Sequence, residues 1–203
     1  MADNIYESAQ NFRELEQYEY RFVVSKNRKI QELKLDFRDT DFYHIIGLQY
    51  LKDIAIPRNR KATLKNILDM GNIRDEILQK SRFYNNLTAI YNVKSRIEES
   101  RFLATYLDVN NLIYIYSLSG RPYIHSQIKA DFVIESKLPN SSTTIYILIK
   151  RRKEDREYYG IVSFFKKGNI SYGGDALYWM LKEKKSKTNN TVITLYKNKN
   201  YNK

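Results

Sequence analysis

The apolar period of this chain changes near residue 110, and that change limits what it can fold into. Up to about Leu107, apart from one hairpin, apolar residues recur every three or four positions, the spacing of helices that bury one face. From Asn111 onward they recur every second position, the spacing of strands. Helices first and strands after predict an α+β arrangement. The expected fold is a set of N-terminal helices and a β-hairpin packed on a four- to five-stranded antiparallel sheet. One domain over 1–185 is expected, with a helical half to about 110 and a sheet half from about 111. A basic tail over 186–203 follows and could add one strand.

Ile5, Ala9, Phe12 and Leu15 predict a first helix from Asn4 to Gln17. Tyr18, Tyr20, Phe22 and Val24 alternate with polar residues, as do Leu33, Leu35 and Phe37, which reads as a hairpin around SKNRK. Asp39, Thr40 and Asp41 are helix-start residue types, and Pro57 cannot continue a helix. The stretch between them, DFYHIIGLQYLKDIAIP, predicts one central helix. Gly47 inside it points to a close approach by another stretch of backbone. Further helices are expected over 62–70, 73–80 and 88–107, and one from Asp175 to Lys185. Strands are expected over 112–116, 128–134, 144–150, 158–165 and 191–197. In the fourth of these Tyr159, Ile161, Ser163 and Phe165 should share a face.

Charge narrows the function. The chain has 203 residues and a net charge of +12, with 35 Lys and Arg against 23 Asp and Glu. Residues 182–203 alone hold seven basic groups and one acidic group. Such an excess suits a phosphate backbone, and the 18 tyrosines could stack on bases. There is no cysteine, so disulfides and thiol chemistry are excluded. No secretory signal and no membrane-length apolar run is evident, so a cytoplasmic protein without a membrane partner is expected.

The sequence lacks a phosphate loop, a dinucleotide fingerprint, a paired-histidine zinc motif and a serine-hydrolase elbow. Glu135 and Lys137, with Asp131 nearby, are the best trace of a magnesium nuclease, but Glu-x-Lys occurs three times here. The remaining hydroxyl and basic groups suit metal-independent RNA cleavage, in which the 2′-hydroxyl of the substrate is the nucleophile and no cofactor is needed. His44 is either a packed core histidine or a catalytic one. Arg96, at the edge of an apolar stripe, is either a surface arginine or a phosphate ligand. His125 is the other candidate base.

FYHIIGLQYLKDI resembles the F-x-H-L-x-G-L-x-x-L-x-D-I signature of the phage-associated barnase–EndoU–colicin–RelE-like nucleases, specifically the fourth subfamily. Phe42, His44, Gly47, Leu48, Leu51, Asp53 and Ile54 carry the match. Ile45 and Ile46 replace the expected leucine and small residue. SQIKADFVI, TIYILIK and SFF are similar to its later strands, so the likeness covers roughly 15–170. It implies helices against a four-stranded antiparallel sheet and a toxin- or effector-like, metal-independent ribonuclease giving a 2′,3′-cyclic phosphate. By position it implies catalytic roles for His44, Arg96, Lys129 and Ser163. RNA contacts are expected from Lys52, Arg58, Arg60, Lys61, Lys150 and Arg151. Tyr158 and Tyr159 are expected mainly to pack. The implied partners are tRNA or mRNA and an acidic immunity or antitoxin protein. The alternative is a non-catalytic nucleic-acid-binding or phage-encoded inhibitor protein, or a structural component of a phage particle.

Overall fold

The computed structural model describes residues 3–117 and 128–201. Its helices are α1 (Asn4–Leu15), α2 (Asp39–Ile45), α3 (Thr63–Leu68), α4 (Asp75–Leu78), α5 (Val93–Ser100) and α6 (Leu103–Asp108). Its strands are β1 (Tyr18–Lys26), β2 (Lys29–Leu35), β3 (Leu112–Tyr116), β4 (Phe132–Lys137), β5 (Thr144–Arg151), β6 (Tyr158–Lys166), β7 (Gly173–Ser186) and β8 (Val192–Lys197). The hairpin of β1 and β2 turns at Asn27 and Arg28, both with positive φ (49° and 64°), the geometry that matches strand twist in a two-residue turn.

The expected four- to five-stranded antiparallel sheet is corrected by the observed topology. Seven strands in the order β1-β2-β6-β5-β4-β3-β7 close on themselves through β7 and β1. The result is a mixed barrel, with β8 added beside β7. All pairings are antiparallel except β2 with β6, a short parallel seam of Lys34 with Tyr158 and Leu35 with Tyr159. The element that closes the ring is β7. Its helix-forming residues predict a helix from Asp175 to Lys185, yet it is a 14-residue strand. One edge pairs with β1; the other pairs with β3 in its first part and β8 in its second. Ladder hydrogen bonds on both edges outweigh a propensity difference of roughly 1 kcal/mol per residue at most.

Two further expectations are corrected. The central helix stops at Ile45, and a 3₁₀ turn at Leu48–Tyr50 follows after Gly47. The expected helix over 88–107 is split into a 3₁₀ turn at Ala89–Tyr91, α5 and α6.

Alternate residues build the main core: Tyr20, Phe22 and Val24 of β1, Leu33 and Leu35 of β2, and Ile145, Ile147 and Ile149 of β5. Ile5, Ala9 and Phe12 of α1 and Ile97 of α5 pack against them. Tyr146 and Leu148 of β5, Val133 of β4 and Phe165 of β6 form a second cluster on the opposite face with Tyr172. β4 to β6 are thus covered on both faces, which explains why TIYILIK reads as an almost unbroken apolar run.

Candidate active site and nucleic-acid interface

The site forms where α2 ends. Gly47 has φ of +76°, which a side chain tolerates poorly, and a Cβ there would lie 2.8 Å from Cδ of Arg96. The glycine therefore ends the helix and lets Arg96 pass beneath it; what approaches is a side chain, not the backbone that the sequence suggested. A helix end leaves carbonyls without partners. Nη1 of Arg96 donates to the carbonyls of His44 and Ile45, both at 3.1 Å. Nε and Nη2 donate to the Ile90 carbonyl at 3.2 and 2.6 Å, and Nη2 donates to Ser163 Oγ at 3.2 Å. These five bonds match the donor capacity of a guanidinium. The rings of Tyr50 and Phe165 lie 5.2 and 5.4 Å from its central carbon. Arg96 is 0% exposed, and among the described residues it forms no ion pair. Burial lowers its pKa to about 10, so it is charged at neutral pH.

Ser163 reaches Arg96 because β6 carries a bulge. Ile161 pairs with Ile149, but Ser163 pairs with Leu148, so Val162 is the extra residue and the inward–outward alternation switches there. Tyr159 and Ile161 remain in the main core, whereas Phe165 joins the second cluster. The four residues expected on one face are therefore divided between two.

His44 is half-buried, with its ring edge-on to Tyr43 at 5.6 Å. Burial, and then the charges of Arg60 and Arg96, lower its pKa to about 4. At neutral pH it is an uncharged imidazole in positive surroundings, able to accept a proton. One guanidinium thus ties together the helix of His44 and the hydroxyl of Ser163. Lys129 is exposed on the segment that leads into β4, and no hydrogen bond or ion pair joins it to this group among the described residues. His125 and Ser126 lie outside the described residues.

Above Arg96 is a pocket of about 400 Å³ lined by Tyr50, Phe83, Tyr91, Lys52, Asn86 and Ile90, with Ile128 at its edge. Tyr50 and Tyr91 meet edge to face at 5.0 Å. Lys52 is the expected RNA contact placed here. Arg58 is turned inward: it donates to the carbonyls of Leu48, Leu51 and Ile54 and holds the loop before Pro57. Arg60 lies over the Tyr43 ring at 5.6 Å, and Lys61 is exposed.

A larger cleft of about 720 Å³ opens at the rim of the barrel, lined by Lys150, Arg151, Arg152, Lys153 and Arg156, with Asp131 as its one acidic side chain. Lys150 and Arg151 were expected contacts; Lys153 and Arg156 were missed. The mixed signs of RRKEDRE conceal them, although two of its three acids are partnered elsewhere, Asp155 with Arg38 and Glu157 with Lys34, and the exposed Glu154 does not line the cleft. Arg152 is also not free. It binds Asp36, and reaches Asp41 Oδ1 at 3.0 Å and Oδ2 at 2.5 Å, at the start of α2. Tyr159 is buried and accepts two bonds from Arg151, while Tyr158 donates to Glu19 at 3.3 Å.

Glu135 pairs with Lys167 at 2.7 Å. Among the described residues no three His, Asp or Glu side chains gather to hold a metal ion, and no helix is long and apolar enough to cross a membrane. The family described as phage-Barnase-EndoU-ColicinE5/D-RelE like nuclease 4 (PBECR4) matches residues 4–203, and the chain belongs to it. No curated protein and no solved structure matches the chain.

Proposed function

We propose that this PBECR4-family nuclease is an endoribonuclease that cuts RNA without a metal ion. The observation that carries the reading is the uncharged His44 held beside cationic side chains by the buried Arg96. His44 takes the proton of a ribose 2′-hydroxyl; the 2′-oxygen forms a bond to the adjacent phosphorus, and the bond from phosphorus to the 5′-oxygen breaks. The leaving 5′-oxygen takes a proton from Lys129 or Lys52. The products are a 2′,3′-cyclic phosphate and a 5′-hydroxyl.

A pKa near 4 makes a weak base, but the free site lacks the negative charge that substrate brings. A phosphate beside His44 offsets the charges of Arg60 and Arg96, which lower the pKa less than burial does, and so draws it part of the way back up. In this reading Arg96 and Ser163 are positioning residues: both are buried, and Arg96 spends its donors on the protein. Tyr50, Phe83 and Tyr91 suit an unstacked base. The family's phage association supports a toxin- or effector-like role against cellular RNA in the cytoplasm, restrained by a protein with an acidic face.

The test is incubation of the purified protein with tRNA and mRNA in EDTA, with both new ends mapped. Discrete cuts with cyclic phosphate ends are expected, and His44→Ala should slow them by roughly 10² to 10⁴, the usual worth of a general base. Intact RNA would favour the non-catalytic binding protein. Cutting only after magnesium is restored would sink the proposed chemistry.

A further inference from the structure

We infer that the rim cleft of the barrel is a track for the sugar-phosphate backbone, in which Lys150, Arg151, Lys153 and Arg156 hold the RNA strand outside the linkage that is cut. The nuclease reading names the ligand; the cleft's demand for a polyanion stands independently of it.

The first argument is a contrast among neighbouring cations. Around this rim Lys26 pairs with Asp175, Lys34 with Glu157, and Arg38 with Asp36 and Asp155. Among the described residues no carboxylate comes within ion-pair distance of Lys150, Arg151, Lys153 or Arg156, although all four line one concavity. Four cations without an ion-pair partner face one space against the single carboxylate of Asp131, so the cleft keeps a positive excess, and a chain of phosphates offsets that excess while releasing its own counterions.

The second argument is pre-organisation. Arg152, in the middle of the row, is fixed by Asp36 and Asp41, so the backbone that carries its neighbours is fixed too. Gly160 makes room for it: a Cβ there would lie 2.6 Å from the guanidinium. Arg151 is also held, with Nε and Nη2 donating to Tyr159 Oη at 3.1 and 2.8 Å. Fixed guanidinium groups lose little freedom when they meet phosphate.

The third argument concerns what the cleft would read. Its aromatic residues, Phe132 and Tyr159, are 7% and 3% exposed and offer no platform for a base. Tyr91 in the other pocket is 41% exposed. The cleft therefore contacts backbone without regard to sequence, and base recognition is left to the pocket above Arg96.

The experiment measures binding of a 2′-O-methyl RNA, which cannot be cut by this route, across a range of salt concentrations. Two variants with equal charge loss are compared with the parent: Arg151→Gln with Lys153→Gln and Arg156→Gln in the cleft, and Lys65→Gln with Lys137→Gln and Lys199→Gln elsewhere. The cleft variant should lower the slope of log K against log salt by about 2, at roughly 0.7 per lost single-strand phosphate contact, and the other should change it little. The double variant Lys153→Gln with Arg156→Gln, which leaves the Arg151–Tyr159 contact intact, should lower the slope by about 1.4. Equal slopes in all variants, or equal losses in both triple variants, would overturn the track. If the parent cuts no RNA, the nuclease reading fails while the slopes still decide this one.

Discussion

Each end of α2 is held by an arginine, Arg96 fully buried and Arg152 half-buried, and the two are balanced differently. Arg152 meets two carboxylates at the start of the helix, so its charge is cancelled where it lies. Against the cost of burial, Asp41 and Asp36 keep it protonated. Arg96 meets carbonyls, a hydroxyl and two rings at the other end. Its positive charge is stabilised by dipoles but not cancelled. The first arrangement is a strut. The second keeps a positive potential beside His44, at the place where a phosphate would bring the missing charge.

The largest expected effect separates the two arginines by their pH response. Arg152→Met leaves Asp41 buried without a cation and Asp36 with Arg38 alone, and should cost about 3–5 kcal/mol at pH 7. That loss should shrink in acid as Asp41, whose pKa burial raises, protonates, and Asp41→Asn should recover part of it. Arg96→Met strands three carbonyls but also removes a buried charge, so about 2–3 kcal/mol is expected, changing with acid only through the small effect of Arg96 on His44. Urea unfolding at pH 7 and pH 4.5 compares them; parallel losses would mean that the ion pair and the dipole cage are equivalent.

A smaller effect is expected at the two glycines that admit the arginines. Gly160→Ala drives a methyl into the guanidinium of Arg152, and Gly47→Ala adds positive-φ strain to a 2.8 Å contact with Arg96. Each should cost about 1–3 kcal/mol by thermal unfolding. In the Arg96→Met background the Gly47 cost should fall to that of backbone strain alone.

The smallest effect is the acid titration of His44. It titrates near pH 4 when folded, against an ordinary value of 6.5. The folded protein then binds fewer protons in that window, so stability falls as pH drops from 6.5 through 4. His44→Gln should flatten that part of the Tm profile, and an unchanged slope would place His44 in ordinary solvent.

Much of this was legible in local sequence and little of it in distant pairing. YEYRFVV shows a strand because Tyr20, Phe22 and Val24 turn inward between polar residues, YYGIVSFF shows one although both of its faces are covered, and the hairpin follows from its turn. Ring closure depends on Tyr18 finding Ser186 and Leu35 finding Tyr159, which no local pattern records. β7 misleads because DALYWMLKEKK is made of good helix formers. Gly47, where the central helix breaks, reads in the sequence as a close approach inside one helix, because the apolar spacing on either side speaks for continuity. Arg96 looked superficial because an arginine beside an apolar stripe usually is. The bulge at Val162 leaves no mark in composition, although it alone turns Ser163 toward Arg96.

Closure through β1 and β7 also sets an order in time. Both faces of a ring cannot form while its last member is still unmade. At about 5–20 residues per second, roughly ten to thirty seconds of translation separate Tyr18 from its partner Ser186. During that interval the nascent hairpin carries Tyr20, Phe22 and Val24 without the strand that completes their ladder.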